Sequence, residues 1–210
     1  MNKAIDSFLK FVPDEDWILK NSNLPWLKLN IPVLSSEILK EADFLYNRAV
    51  LHRGNDSFGP YKNTGWKSLT IYGESPTTTE QTTGLKSWTD VANKCPATVE
   101  FIKQHWNINH KTGRIRFMWL DPQGYILPHT DRTNKGLHEV NVAITQPDKC
   151  QFRFLDHGTV PFTEGSAFLL DISNRHLVFN NSDQIRTHII VHSTLLPGII
   201  KSSYEQSFYS

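Results

Sequence analysis

Two hundred and ten residues, 39% hydrophobic and 20% charged, suit one folded domain with an ample core and exclude a disordered chain. Lys and Arg total 22 against 21 Asp and Glu, a formal charge of +1, which implies no polyanion-binding surface and no nucleic-acid partner. No apolar run approaches the ~20 residues of a membrane span, and two cysteines, Cys95 and Cys150, are too few for a disulfide scaffold or a cysteine zinc site.

The chain starts Met1-Asn2-Lys3-Ala4-Ile5-Asp6, with an acid where a signal peptide needs an apolar core, so a reduced, cytoplasmic protein is expected. Leu34, Ile38, Ala42, Leu45 and Ala49 recur at helical steps. Ser35 or Ser36 is expected to cap that helix, with Glu37 in its first turn. Gly54–Gly84 is rich in Gly, Ser, Thr, Asn and Pro and reads as a long functional loop; its Tyr61 and Trp66 are candidate walls of a substrate pocket. A second helix is expected from Pro96 to about Trp106, burying Val99, Ile102 and Trp106.

From residue 112 the period changes to two. Arg114–Leu120, Leu137–Ile144, Cys150–Leu155, Ser166–Leu170, His176–Phe179 and Ile185–Leu195 read as strands separated by turn residues. The fold class expected is mainly β: a double-stranded β-helix, jelly-roll or cupin-like barrel, buttressed by N-terminal helices. One domain should span 1–210, with a helical and loop buttress over 1–110, the jelly-roll core over 111–196 and a tail over 197–210.

Of nine His, one has an acid two positions later, in Pro128-His129-Thr130-Asp131. In extended backbone such residues project the same way, so His129 and Asp131 can share one ion. His176 opens a later strand, and Arg186 starts the next one, ten residues on. Two imidazoles and a carboxylate can occupy one face of an octahedron and leave three positions open, which suits Fe(II) that binds a co-substrate and O2 together. A planar guanidinium deeper in the barrel suits a carboxylate, so the implied co-substrate is 2-oxoglutarate.

These residues, with Leu120-Asp121-Pro122-Gln123-Gly124-Tyr125-Ile126-Leu127-Pro128 before the His129 motif and Phe162–Asp171 after it, resemble the aspartyl/asparaginyl β-hydroxylase family. The branch most resembled holds the bacterial proline cis-hydroxylases. The resemblance covers roughly residues 112–195. It implies a jelly roll, Fe(II), and oxidative decarboxylation of 2-oxoglutarate to succinate and CO2. His129, Asp131 and His176 take the iron-ligand positions, and Arg186 the one that binds the C5 carboxylate.

The animal members lack the carboxylate at the position of Asp131, so the three-ligand form is expected here. Members often carry Arg-x-His on the strand after the first ligands, where this chain reads His138-Glu139-Val140-Asn141; His138 or Asn141 is expected to assist with 2-oxoglutarate or substrate. Arg132 is a candidate for a substrate carboxylate. The expected substrate is a small molecule, such as a free amino acid, or an Asp/Asn side chain in a polypeptide. Two rival readings are a catalytically silent jelly-roll binding module and a cupin-type isomerase or hydrolase that uses zinc or manganese.

Overall fold

The computed structural model describes residues 13–52, 64–80, 82–111 and 113–207; Tyr61 therefore lies outside the described residues. Four α-helices occur among them: α1 (Glu15–Asn21), α2 (Ser35–Leu45), α3 (Pro96–His105) and α4 (Ile199–Gln206). The first half also contributes strands β1 (Trp26–Leu29), β2 (Val50–Leu51), β3 (Trp66–Gly73), β4 (Ser87–Trp88) and β5 (Trp106–Asn107). The second half supplies β6 (Arg114–Leu120), β7 (Tyr125–His129), β8 (Glu139–Ala143), β9 (Cys150–Phe154) and β10 (Gly158–Thr159). It ends with β11 (Ala167–Leu170), β12 (His176–Asn180), β13 (Arg186–His192) and β14 (Thr194–Leu195).

The major sheet runs β1-β11-β8-β13-β6-β3-β2, with β4 on β3, and the minor sheet runs β10-β9-β12-β7. The molecule is mainly β with antiparallel sheets, as the period of two predicts. The expected barrel is not closed, since among the described residues no ladder joins the two sheets. The strand alternation sorts two cores. Ile115, Phe117 and Trp119 of β6, Val140 and Val142 of β8, and Ile189 and Val191 of β13 join Ile18, Ile38, Phe101 and Ile102 of the helices. Met118, Leu120, Ala143, Phe168 and Leu170 project from the other face onto Phe152, Phe154 and Val178 of the minor sheet. Both faces of the major sheet are therefore covered, and each Phe or Leu withdrawn from water contributes about 1.5–3 kcal/mol.

Several local expectations are corrected. Ser35 and Ser36 are the first helical residues of α2; Leu34 is the N-cap, exposed, and no side chain caps the turn. Ala49 follows a 3-10 turn, Tyr46–Arg48, outside the helix. Helix α3 ends at His105, and its first turn is closed from another helix: Glu41 of α2 accepts hydrogen bonds from Ala97 N at 2.7 Å and Thr98 N at 2.9 Å. The Gly54–Gly84 stretch is not one loop, because β3 lies inside it and pairs along β6. The 1–110 half is more than a buttress: β1 pairs with β11 and β3 with β6, so the major sheet draws on both halves. The expected tail holds α4, packed on β1 and α1, with Glu15 Oε1 accepting Gly198 N at 2.9 Å and Ile200 N at 3.1 Å.

The turn from β6 to β7 delivers the first candidate ligand. Gln123 takes φ 61°, and Gly124 N donates to Asp121 O at 2.9 Å. A Cβ at Gly124 would stand 2.7 Å from Thr64 O and 2.8 Å from Asp121 O, so glycine is required there.

Candidate metal centre

His129 ends β7 and His176 begins β12, directly opposite each other in the ladder. Asp131 follows on a loop whose backbone is fixed by Asp131 N donating to Ile172 O at 3.1 Å. Asp131 Oδ2 lies 3.5 Å from His129 Nε2 and 3.4 Å from His176 Nε2, and the three potential ligand atoms fall within 4.8 Å of one another. Ligands on one face of an octahedron at ~2.1 Å from a metal stand ~3 Å apart, so the arrangement is close to a facial triad.

The outer contacts of both rings fit a metal. His129 Nδ1 meets Leu127 O at 2.7 Å, and His176 Nδ1 meets Asn174 O at 2.9 Å. A carbonyl can only accept, so each Nδ1 carries the proton and each Nε2 keeps a lone pair aimed at the shared centre. Asn174 is itself held by a turn in which Asp171 Oδ1 accepts from Ser173 Oγ at 2.6 Å. Phe152 stacks on the His176 ring at 5.0 Å, shielding it from water. Burial opposes ionisation of Asp131; when His129 and His176 are protonated at Nε2, their hydrogen bonds and charges outweigh it and hold the carboxyl well below the usual carboxylate range, a role that a metal ion takes over when both rings ligate through that nitrogen.

Arg186 is buried at 3% exposure, on the inner row of β13. Its Nη2 lies 2.9 Å from His188 Nδ1, which is also 2.5 Å from Asn141 Oδ1; its Nε is buried without a partner. Among the described residues no carboxylate pairs with it. A permanently charged guanidinium with no counter-ion is costly unless an anion arrives, so the site fits a carboxylate co-substrate. Asn141 thus belongs to the Arg186 cluster. His138 does not: it shares the face of Val140 and Val142 and lines a separate cavity with Leu137, Leu169 and Ile200, because the alternation of β8 turns it toward the helices.

A cavity of about 420 Å³ opens beside Asp131, and Trp66, Arg132, Met118 and Ile190 line it. Arg186 is not among its lining residues. The same cavity holds Arg114, Arg116, Glu139 and His192, none of which belongs to a recognisable sequence motif. Their signal was the alternation of β6, which puts Arg114 and Arg116 on the inner row with Met118. Glu139 Oε2 lies 2.9 Å from His192 Nε2. Burial raises the Glu139 carboxyl, but His192 holds it below its ordinary value; burial lowers His192. Burial, then repulsion from Arg114, pushes Arg116 down to about 9.

A sequence profile described as Aspartyl/Asparaginyl beta-hydroxylase matches residues 34–194. No curated protein matches the chain in sequence at a significant level. Among solved structures, the chain is similar to a Pseudomonas putida prolyl-4-hydroxylase, at 13% identity and TM-score 0.52, covering 82% of this chain and 94% of that one. It is also similar to an oxidoreductase of the 2OG-Fe(II) oxygenase family from Burkholderia pseudomallei, at 11% identity and TM-score 0.51, covering 82% and 88%. At such identities these two share its fold. No helix among the described residues is long and apolar enough to cross a membrane. The triad fits Fe(II) with 2-oxoglutarate and O2 on its open positions. Because the profile match takes in all three candidate ligands and Arg186 within most of the chain, the protein belongs to the aspartyl/asparaginyl β-hydroxylase family of iron- and 2-oxoglutarate-dependent oxygenases.

Proposed function

We propose that the enzyme hydroxylates an unactivated C–H bond of a free amino acid or of an Asp/Asn-type residue. The balance is one substrate C–H, one O2 and one 2-oxoglutarate in, and one C–OH, one succinate and one CO2 out. The observation that carries this reading is the convergence of His129, Asp131 and His176 beside a cavity, with Arg186 buried and, among the described residues, lacking a counter-ion.

In this reading His129, Asp131 and His176 hold Fe(II) through Nε2, a carboxylate oxygen and Nε2. Arg186, steadied by His188 and Asn141, takes the C5 carboxylate of 2-oxoglutarate. Bound iron and 2-oxoglutarate supply the oxidising chemistry with O2. The chain's own residues do the rest. The carbonyls of Leu127 and Asn174 keep both imidazoles in the ligating tautomer. Phe152 and Trp66 exclude water from the ligand rings, and the cavity positions the substrate carbon.

The test is incubation with Fe(II), ascorbate, O2 and 2-oxoglutarate, scored by succinate. Succinate release abolished by His176→Ala supports the oxygenase. No release from wild type with any candidate substrate indicates a silent binding module. Metal-dependent turnover that survives Arg186→Ala indicates a cupin-type isomerase or hydrolase.

A further inference from the structure

The inner row of β13 reads Arg186, His188, Ile190, His192, and the facing row of β6 reads Leu120, Met118, Arg116, Arg114. A strand advances ~3.4 Å per residue, so Arg186 and His192 stand ~20 Å apart, at opposite ends of the interior. The cavity beside Asp131 opens at the His192 end. Each end therefore carries its own buried guanidinium, and one small dianion chelating the metal cannot span both.

Arg116 is 4% exposed, and its Nη1 donates to Thr79 O at 2.7 Å. Its Nε is buried without a partner, and its Nη2 lies 3.5 Å from His192 Nε2. The same His192 nitrogen meets Glu139 Oε2 at 2.9 Å, so a cation and an anion sit side by side on the cavity wall without pairing directly. The cavity wall also carries the apolar side chains of Trp66, Met118, Ile172 and Ile190, alongside Glu80, Arg114, Arg132 and Asp131. A volume of about 420 Å³ lies in the ~300–1,000 Å³ range of small-molecule sites.

We infer that Arg116 and Glu139 are the ionic anchor of the primary substrate: Arg116 takes the α-carboxylate and Glu139 the ammonium of a small free amino acid with an apolar side chain. The inference rests on the oxygenase reading and assigns the two ends of the interior to the two organic reactants. A guanidinium reads a carboxylate through paired N–H donors, and a hydrogen bond to a charged group is worth about 10- to 100-fold in affinity. Arg116 holds the Thr79 carbonyl as well, so loss of activity in a variant is not by itself informative.

The experiment compares ligands as well as variants. Iron-loaded enzyme with 2-oxoglutarate is given each proteinogenic amino acid and, for any that accelerates succinate release, its carboxamide and its N-acetyl form. Calorimetric titration of the same compounds into the enzyme without O2 gives binding independently of turnover. The expected result is at least about 30-fold weaker KM and binding for both capped forms with wild-type protein. Arg116→Gln should weaken the acid by a similar factor and the carboxamide by less than about threefold, a contrast that a purely structural role cannot produce. Carboxamides as good as acids, N-acetyl forms as good as free amines, or an Arg116→Gln defect confined to co-substrate affinity each overturn the anchor. Those outcomes leave His176-dependent succinate release intact. Its absence would strike the oxygenase reading instead, while calorimetry still decides on the anchor.

Discussion

His176 lies directly opposite His129 in the β12–β7 ladder, with ring centroids 4.4 Å apart. Facing residues on neighbouring antiparallel strands are the nearest same-face pair a sheet offers. Between this pair and Val178↔Ile126, Leu127 and Pro128 oppose the single residue Leu177, so β7 bulges beside its ligand. Pro128 has no N–H and is tolerated at such an irregularity. The bulge also turns the Leu127 carbonyl onto His129 Nδ1.

Removing one ring should abolish metal binding while sparing the fold. We expect His176→Ala to weaken Fe(II) binding by at least about 100-fold. Ligand binding to the native state raises the melting temperature by mass action, so wild type should melt higher with anaerobic Fe(II) and the variant should not. An equal Fe(II)-induced shift in both proteins would exclude His176 as a ligand.

Arg186 should trade stability for function. Arg186→Met removes a buried charge that has no carboxylate partner among the described residues. Exchanging such a group for an apolar one of similar length should stabilise the protein by about 1–3 kcal/mol, read from urea unfolding in the absence of 2-oxoglutarate. The KM for 2-oxoglutarate should rise about 30-fold or more. A variant that is less stable, with KM unchanged, would make Arg186 a structural cation.

The pattern of residues made much of this visible in advance. From Arg114 onward each strand alternates, and the alternation alone separates Ile115, Phe117 and Trp119 from Arg116, Met118 and Leu120. His129, His176 and Arg186 occupy strand positions that the same period fixes, and Asp131 follows His129 on the adjoining loop. Strand β3 escaped because its inner positions are Ser68 and Thr70, polar residues buried between β2, β6 and a neighbouring turn, so no apolar alternation marks it. The cap of α3 escaped because Glu41 reaches it from 56 residues away, where a local motif cannot register. Arg116 and Glu139 match no motif; their meaning comes from facing one cavity across three strands.

Stability should fall on mild acidification through His188. Burial, and then the Arg186 charge, hold its pKa well below the ordinary imidazole value of 6.5. The unfolded chain therefore binds this proton first. The contribution is fully present above about pH 6.5 and is lost as pH falls from there toward the folded pKa, by up to about 1.4 kcal/mol per pH unit. Burial lowers His192 in the same direction, so two imidazoles contribute to the slope. Urea unfolding at pH 7.5 and 5.5 should show a drop in wild type that His188→Gln reduces by about half. An unchanged drop would mean that His188 is charged in the native state.

Asn180 clasps the minor sheet to the major one. It is fully buried at the end of β12, and its Nδ2 lies 3.0 Å from Leu120 O, 3.1 Å from Asp121 O and 2.7 Å from Gln184 O. Its Oδ1 accepts from Ser182 Oγ at 2.6 Å and Ser182 N at 3.2 Å. One side chain thus satisfies backbone groups of both the β6–β7 and the β12–β13 connections, where among the described residues no ladder bond joins the sheets. Truncation would strand several buried partners, so Asn180→Ala should cost about 2–4 kcal/mol of unfolding free energy. Asn180→Asp preserves shape but turns an acceptor toward three carbonyl oxygens and should cost at least as much at neutral pH. Ser182→Ala removes the hydroxyl that donates to Asn180 Oδ1 at 2.6 Å and accepts from Gln184 N at 3.2 Å, and should cost about 1–2 kcal/mol. If Asn180→Ala unfolds within about 0.5 kcal/mol of wild type, the sheets are held by their apolar faces alone.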